Sequence, residues 1–243
     1  MTLSQAIDAE IESLAVQPNV SILDRVFEPR ISVPARCRGG TAGPCWARIP
    51  LDPEPSLDGG GGIRRQLAAI VASDVAGYSR LIELDDLGTV LRILALRRHL
   101  IEPAAALYHA SFVRYVGDAF LMAFPGSVDA VQCAVSIQKE LAILEGDTPD
   151  DRRIRLRIGV NVDVVLVVDG DLHGSGVNVA ARLETLAEPG DIYVSEAIFN
   201  QTRNILPLAY EALGQHQLKN IAEPVSIYRI AGDEIAQARQ DAW

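Results

Sequence analysis

The chain has 243 residues, 49% of them hydrophobic, enough for one full-sized core with chain left over. Its formal net charge of −10 argues against a nucleic-acid partner, because duplex binding rests mainly on neutralising phosphates with Lys and Arg. A small phosphorylated substrate stays open, since metal ions can supply positive charge locally.

Residues 1–62 hold scattered prolines, the stretch RCRGGTAGPCW, and LDPEPSLDGGGG, which ends in Gly59–Gly62. Such composition buries little apolar surface per residue ordered, so 1–62 reads as a poorly ordered extension closed by a glycine linker. Ile7, Ile11, Leu14 and Ala15 share one face of a short amphipathic helix within it. The acidic start lacks a basic n-region, and no run reaches the roughly 18 apolar residues that span a bilayer. A soluble, cytoplasmic protein without a membrane span is the expectation. Cys37, Cys45 and Cys133 form neither a CxxC pair nor a Cys/His cluster, so reduced thiols are expected instead of a disulfide framework or zinc site.

From residue 63 to 232 the punctuation becomes regular, and 233–243 reads as a tail. QLAAIVAS is a buried strand stopped by Asp74 and Gly77. Leu91, Leu94, Ala95, Ile101 and Leu107 recur with helical spacing between Tyr78 and His109, with Pro103 a kink or boundary. SFVRYVGDAFLMAF reads as two strands joined by a tight turn at Gly117-Asp118. SVDAVQCAVSIQKELAIL is a helix that Ser127 can cap, with Val128, Val131, Val135 and Ile137 on or near one face. IRLRIGVNVDVVLVVDG predicts two more strands, and GVNVAARLETLAEPGD a helix ending before Pro189-Gly190. DIYVS, a short helix and VSIYRI complete the domain. Helices interleaved with hairpins point to an α+β fold, a ferredoxin-like, antiparallel-rich sheet with helices packed on it.

In such a sheet the strand ending at Asp74 and the hairpin carrying Asp118 can be central neighbours, bringing both carboxylates to one edge. Paired carboxylates suit Mg²⁺, a hard ion with oxygen ligands, and two ions can clamp a phosphoryl transfer. By spacing alone, an Asp after a strand is usually a turn former or helix cap.

The stretches AAIVASDVAGYSRL, VRYVGDAFLMAF, DRRIRLRIGVNV, HGSGVNVAARLE and QLKNIAEPVSIYRI occur in the order and spacing of a known family. From about Arg65 to Ile230 the chain resembles the class III adenylate/guanylate cyclase catalytic domain, closest in style to bacterial cytosolic members. The resemblance implies the class III fold and two divalent ions, Mg²⁺ or Mn²⁺, held by Asp74, Asp118 and the Val75 carbonyl. It also implies a triphosphate facing Ala76, Gly77, Tyr78 and Ser79, with Lys219 aligned approximately to a residue contacting the terminal phosphates. Asn178 and Arg182, at i, i+4 on one helical face, match the pair that orients the ribose and stabilises charge at the α-phosphate. Base choice falls to Arg114 and Asp171. Asp171 can accept from the adenine amino group, and neither position offers the glutamate that reads guanine, so ATP is favoured. A homodimer is implied, with the metal aspartates from one protomer and Arg114, Asp171, Asn178 and Arg182 from the other. AYEALGQHQL would supply an arm that crosses to the partner.

The chain departs from the family pattern in three places: Arg114 for the usual Lys or Glu, Asp163 for glycine, and Ser175 for aspartate. A side chain at Asp163 would crowd the strand if glycine served a special backbone angle there. Two other readings follow from these departures: a cyclase-homology domain that binds nucleotide or dimerises without catalysis, and a guanylate cyclase. Arg114 also admits an ion pair with a neighbouring strand, and Arg182 one with Glu184 or a nearby acid.

Overall fold

A computed structural model describes residues 64–168 and 171–232. The N-terminal helix, the Gly59–Gly62 linker and the C-terminal tail lie outside the described residues. In chain order the elements are β1 (Arg64–Val75), α1 (Tyr78–Leu84), α2 (Asp86–Leu96), a π-helical turn (Arg97–Ile101), α3 (Glu102–Leu107), β2 (Phe112–Val116) and β3 (Ala119–Phe124). There follow α4 (Ser127–Leu144), β4 (Leu156–Val168), β5 (Asp171–His173), α5 (Ser175–Leu186), β6 (Ile192–Ser195), α6 (Glu196–Thr202), β7 (Glu211–His216) and β8 (Val225–Ile230).

The strands form one mixed sheet in the order β2-β3-β1-β4-β6-β8-β7, with β5 paired to β4. Only β4 and β6 run parallel, and the other pairings are antiparallel. β1 is central, and its side chains alternate between two cores. Ala69 and Val71 join Phe124, Val131, Ile137 and Ile158 on one face, while Ala68, Ile70 and Ala72 join Val165 and Ala180 on the other. This is why residues 68–72 form a continuous apolar run: both faces of that stretch are buried, while Leu67 before it stays exposed.

On the first face lies α4, whose buried Gln138 donates to the carbonyls of Leu156 (3.0 Å) and Asp191 (3.2 Å), tying the helix to the sheet. α5 covers the second face through Gly176, Val179, Ala180 and Leu183, the i, i+3, i+4, i+7 stripe of a half-buried helix. It lies directly on β4 at Gly159, where an added Cβ would overlap the Ala180 carbonyl oxygen and the Glu184 backbone nitrogen.

Four local expectations need correction. The segment 154–170 gives one long strand, β4, and the second strand is the three-residue β5 beyond it. Apolar residues continue beyond Asn161 and Asp163 as far as Val168, so no turn signal interrupts the strand, although Val164 is exposed. Ser127 does not cap α4: Gly126 is the capping residue, and the Ser127 hydroxyl donates instead to Gln201 Oε1 at 2.7 Å. The break near Pro103 falls earlier, as a π-helical turn over Arg97–Ile101 that widens the helix where the proline ring would meet the carbonyl one turn back. The segment AYEALGQHQL holds an unexpected edge strand, β7, which pairs with β8 through a bulge between Ala212 and Gly214.

Candidate active site

The β1–β3 register, Ser73 opposite Phe120, brings the end of β1 level with the β2–β3 turn. Asp74 and the Gly117-Asp118 turn therefore sit at the same end of adjacent strands. Gly117 has φ 63°, the left-handed conformation that a tight turn asks of glycine. Two residues earlier, the Tyr115 ring lies under the Arg97 guanidinium at 3.5 Å, and Arg97 is paired with Glu102, so the helical arm steadies this hairpin.

Asp74 is held by a residue that the spacing did not single out. Arg157, its register partner on β4, donates from Nε to Asp74 Oδ1 at 2.9 Å and from Nη2 to Oδ2, a two-pronged pairing. This pairing is the main cause of the rise in the Arg157 pKa. The Arg157 Nη2 also lies 3.7 Å from Glu184 Oε1, an atom that is buried without a hydrogen-bond partner. Glu184 is pushed up to about 8, first by burial, then by its hydrogen bond to Asp74 and the charges of Asp74 and Asp118. A hydrogen bond between two carboxyl groups requires a proton on one of them, which agrees with that direction. Arg157 is visible in sequence only as a charge inside an apolar strand, and Glu184 as the acid two residues after Arg182. Their convergence appears only once the β1–β4 register is known.

Asp74 and Glu184 thus share one guanidinium, and the charge of Asp118 also acts on it. Among the described residues no group of three or more His, Cys, Asp or Glu side chains could by itself hold a metal ion. Two aspartates and a backbone carbonyl still fit a hard divalent ion that takes its remaining oxygens from phosphates and water. The orphaned Glu184 oxygen and the excess of carboxylates show a place where added positive charge would be stabilising.

Val75 closes β1 and is buried. After it the chain turns through Gly77 (φ 68°, ψ 29°) into α1, with Ala76 held by the Arg155 carbonyl at 2.9 Å. The Arg80 guanidinium lies against Gly77 and reaches the Asp151 carbonyl, placing a cation beside the turn formed by Ala76–Ser79.

The second group of residues lies elsewhere in the same chain. Asn178 is exposed and Arg182 half-buried, and neither side chain has a hydrogen-bond or ion-pair partner among the described residues. Glu184, which Arg182 was free to engage, faces Arg157 instead. Two residues along a helix turn the side chain by about 200°. α5 therefore directs Glu184 toward Asp74 and Arg182 away from it. Arg114 on β2 forms an ion pair with Asp171 on β5, so these two residues meet each other across non-adjacent strands. Lys219 is exposed in the connection from β7 to β8, separated from β1 by β4, β6 and β8 in the sheet.

The family model for the adenylate and guanylate cyclase catalytic domain matches residues 64–232. The putative adenylate cyclase 3 of Rhizobium meliloti (strain 1021) is 41% identical over 166 residues, which cover 68% of this chain and 28% of that protein. The crystal structure of an adenylate/guanylate cyclase/hydrolase from Silicibacter pomeroyi has a TM-score of 0.65 and 40% identity, over 70% of this chain and 99% of that one. The adenylyl cyclase CyaB from P. aeruginosa shares the fold with a TM-score of 0.63 at 21% identity, over 70% of this chain and 96% of that one. No helix among the described residues is long and apolar enough to cross a membrane. With a family model spanning all of the sheet and its covering helices, and a 40%-identical structure matched almost end to end, this chain belongs to the class III adenylate/guanylate cyclase catalytic domain family.

Proposed function

We propose that the chain is an adenylate cyclase, forming 3′,5′-cyclic AMP and pyrophosphate from ATP with Mg²⁺ or Mn²⁺, at a site shared by two copies. The observation that carries this reading is the geometry of α5. It turns the unpartnered Asn178–Arg182 face away from the acids around Asp74, so the two halves of a site lie on one chain without facing each other. A twofold-related copy brings them together, and two equivalent sites follow. The cross-strand pair Leu67 and Val164, 63% and 52% exposed, supports the same reading, as an apolar patch of β1 and β4 suited to cover by a second copy. The exposed edge strand β7 is available as the arm that reaches the partner.

In this reading Asp74, Asp118 and the Val75 carbonyl hold the ions, which supply charge neutralisation at the phosphates and acidity at the ribose 3′-hydroxyl. Arg157 releases Asp74 and turns its donors to phosphate oxygen. Backbone N–H groups of Ala76–Ser79 face the triphosphate, and Lys219 of the second copy meets its far end. Asn178 orients the ribose. Arg182 stabilises the charge that builds at the α-phosphate, and a preorganised donor aimed at developing charge lowers a barrier more than any other single device. The ion pair leaves Asp171 an oxygen to accept the adenine amino group, while Arg114 keeps N–H donors for a ring nitrogen.

The test is cyclic nucleotide production by purified protein with Mn²⁺, ATP and GTP run in parallel, against Asp118→Ala. ATP should be turned over faster than GTP, and Asp118→Ala should lose at least about 100-fold. If wild type matched Asp118→Ala, the enzyme reading would fail. A second reading has one observation in its favour: the two-pronged Arg157–Asp74 pairing. If Arg157 never lets go, the chain binds nucleotide or dimerises without turnover, and the same assay separates the two.

A further inference from the structure

Alternate residues of one face of β4, Gly159, Asn161 and Asp163, form the seat of α5. Gly159 lets the middle of the helix lie against the strand. The buried Asn161 donates from Nδ2 to the Gly176 carbonyl at 3.1 Å. Asp163 meets the first turn, where Ser175 Oγ donates to Asp163 Oδ2 at 3.2 Å. Asp163 does not need a glycine's backbone angle: it pairs in register with Ala68, and it is absent from the residues with positive φ. The crowding expected at this position is real but is relieved from the other side. A Cβ at Gly176 would overlap the Asp163 Cβ, so the helix yields space to the strand's side chain.

α5 has no cap of its own. Gly174 is the capping residue, no side chain caps the helix, and its first turn contains no acid. Ser175 is the first helical residue, and its hydroxyl is engaged by Asp163. The start of a helix carries positive partial charge and is stabilised by a nearby carboxylate. The only acid that reaches this start among the described hydrogen bonds comes from β4, twelve residues earlier.

We propose that Asp163 is a positioning residue for α5: it supplies from the strand the carboxylate that the helix lacks, and so fixes the axial position of Asn178 and Arg182. The departures at 163 and 175 are then one feature, a carboxylate moved from the helix to the strand beneath it. This rests on the catalytic reading of α5, and the experiment separates the two.

Four variants test it against wild type: Asp163→Asn, Asp163→Gly, Ser175→Asp and Asp163→Gly/Ser175→Asp. Asp163→Asn keeps shape and removes charge, which guards against a glycine-specific cost in the strand. Both Asp163 substitutions should lower kcat about fivefold with KM for Mn·ATP within about twofold, since a displaced donor acts on the transition state more than on binding. Ser175→Asp alone sets two carboxylates together and should lower the melting temperature. The double variant should restore both kcat and melting temperature toward wild type. Simple addition of the two single effects would overturn the proposal, as would unchanged kcat in Asp163→Asn at 25 °C. A wild type without cyclase activity would sink the catalytic reading alone. The melting-temperature cycle then decides the relocated carboxylate, with rescue supporting it and additivity overturning it.

Discussion

At Glu184, burial and the neighbouring Asp74 carboxylate both disfavour ionisation, and the acid is pushed up to about 8 from an ordinary value of 4.5. The folded chain therefore keeps a proton that the unfolded chain releases between those values. Stability falls with pH wherever the folded state binds more protons. The Glu184 contribution is fully present below about 4.5, is lost as pH rises, and is gone above about 8. Metal-free protein in chelator should accordingly melt at lower temperature as pH is raised from 5 to 8. Glu184→Gln, which cannot ionise, should flatten that slope, so that the variant gains on wild type with rising pH. Parallel melting curves for the two proteins across this range would show that Glu184 is ionised throughout. The same residue shows what sequence alone withheld. Asp74, Asp118, Asn178 and Arg182 could be singled out because they lie in motifs that resemble the family's, whereas strand ends and helical spacing alone read them as turn formers and surface residues. Arg157 and Glu184 could not, because what defines them is a cross-strand register and a helix rotation, both tertiary facts.

Among the elements, the contact of α5 with β4 governs the site more than any loop. Gly159 is its closest point, where the helix backbone itself stands in the way of a side chain, and backbone cannot rotate aside. Gly159→Ala should cost at least about 2 kcal/mol, as overpacking does where nothing yields. It should also lift α5 from the sheet, carrying Arg182 with it, so kcat falls even where the variant is fully folded. Denaturant unfolding and steady-state kinetics on the same preparation would check both parts. A variant as stable as wild type would mean that α5 is not seated as described. Sequence patterning predicted this helix well, because an i, i+3, i+4 stripe needs only one apolar neighbour. It misjudged β4, whose thirteen residues run on through the apolar stretch 164–168 and so lack the turn signal that marks a strand's end. It missed β7, an exposed edge with little apolar content to announce it. Ser127 fits a cap by type, yet its hydroxyl is drawn to Gln201 on α6, a partner 74 residues away that no local rule anticipates.

For the molecule as a whole, the opposed directions of Glu184 and Arg182 on one short helix make a shared site the economical arrangement. The chain spans 28% of the length of the relative it matches at 41% identity, so whatever else such proteins carry, both halves of the proposed site fall within residues 64–232. Two kinds of mixing experiment decide whether they belong to different copies. Asp74→Ala and Arg182→Ala proteins should each be inactive as homodimers. Mixed in equal amounts under conditions of exchange, half of the dimers are heterodimers with one intact site of two, so about a quarter of wild-type activity should return. The double variant Asp74→Ala/Arg182→Ala, mixed with wild type, should do the reverse. Each heterodimer then has Asp74 missing from one site and Arg182 from the other, and both sites are broken. Activity in that mixture should fall to about a quarter of a wild-type sample at the same total concentration, since only wild-type homodimers work. A site confined to one chain would instead give no recovery in the first mixture and a loss of only half in the second. Tagged subunits, counted by mass after exchange, confirm that heterodimers formed and make the two outcomes comparable.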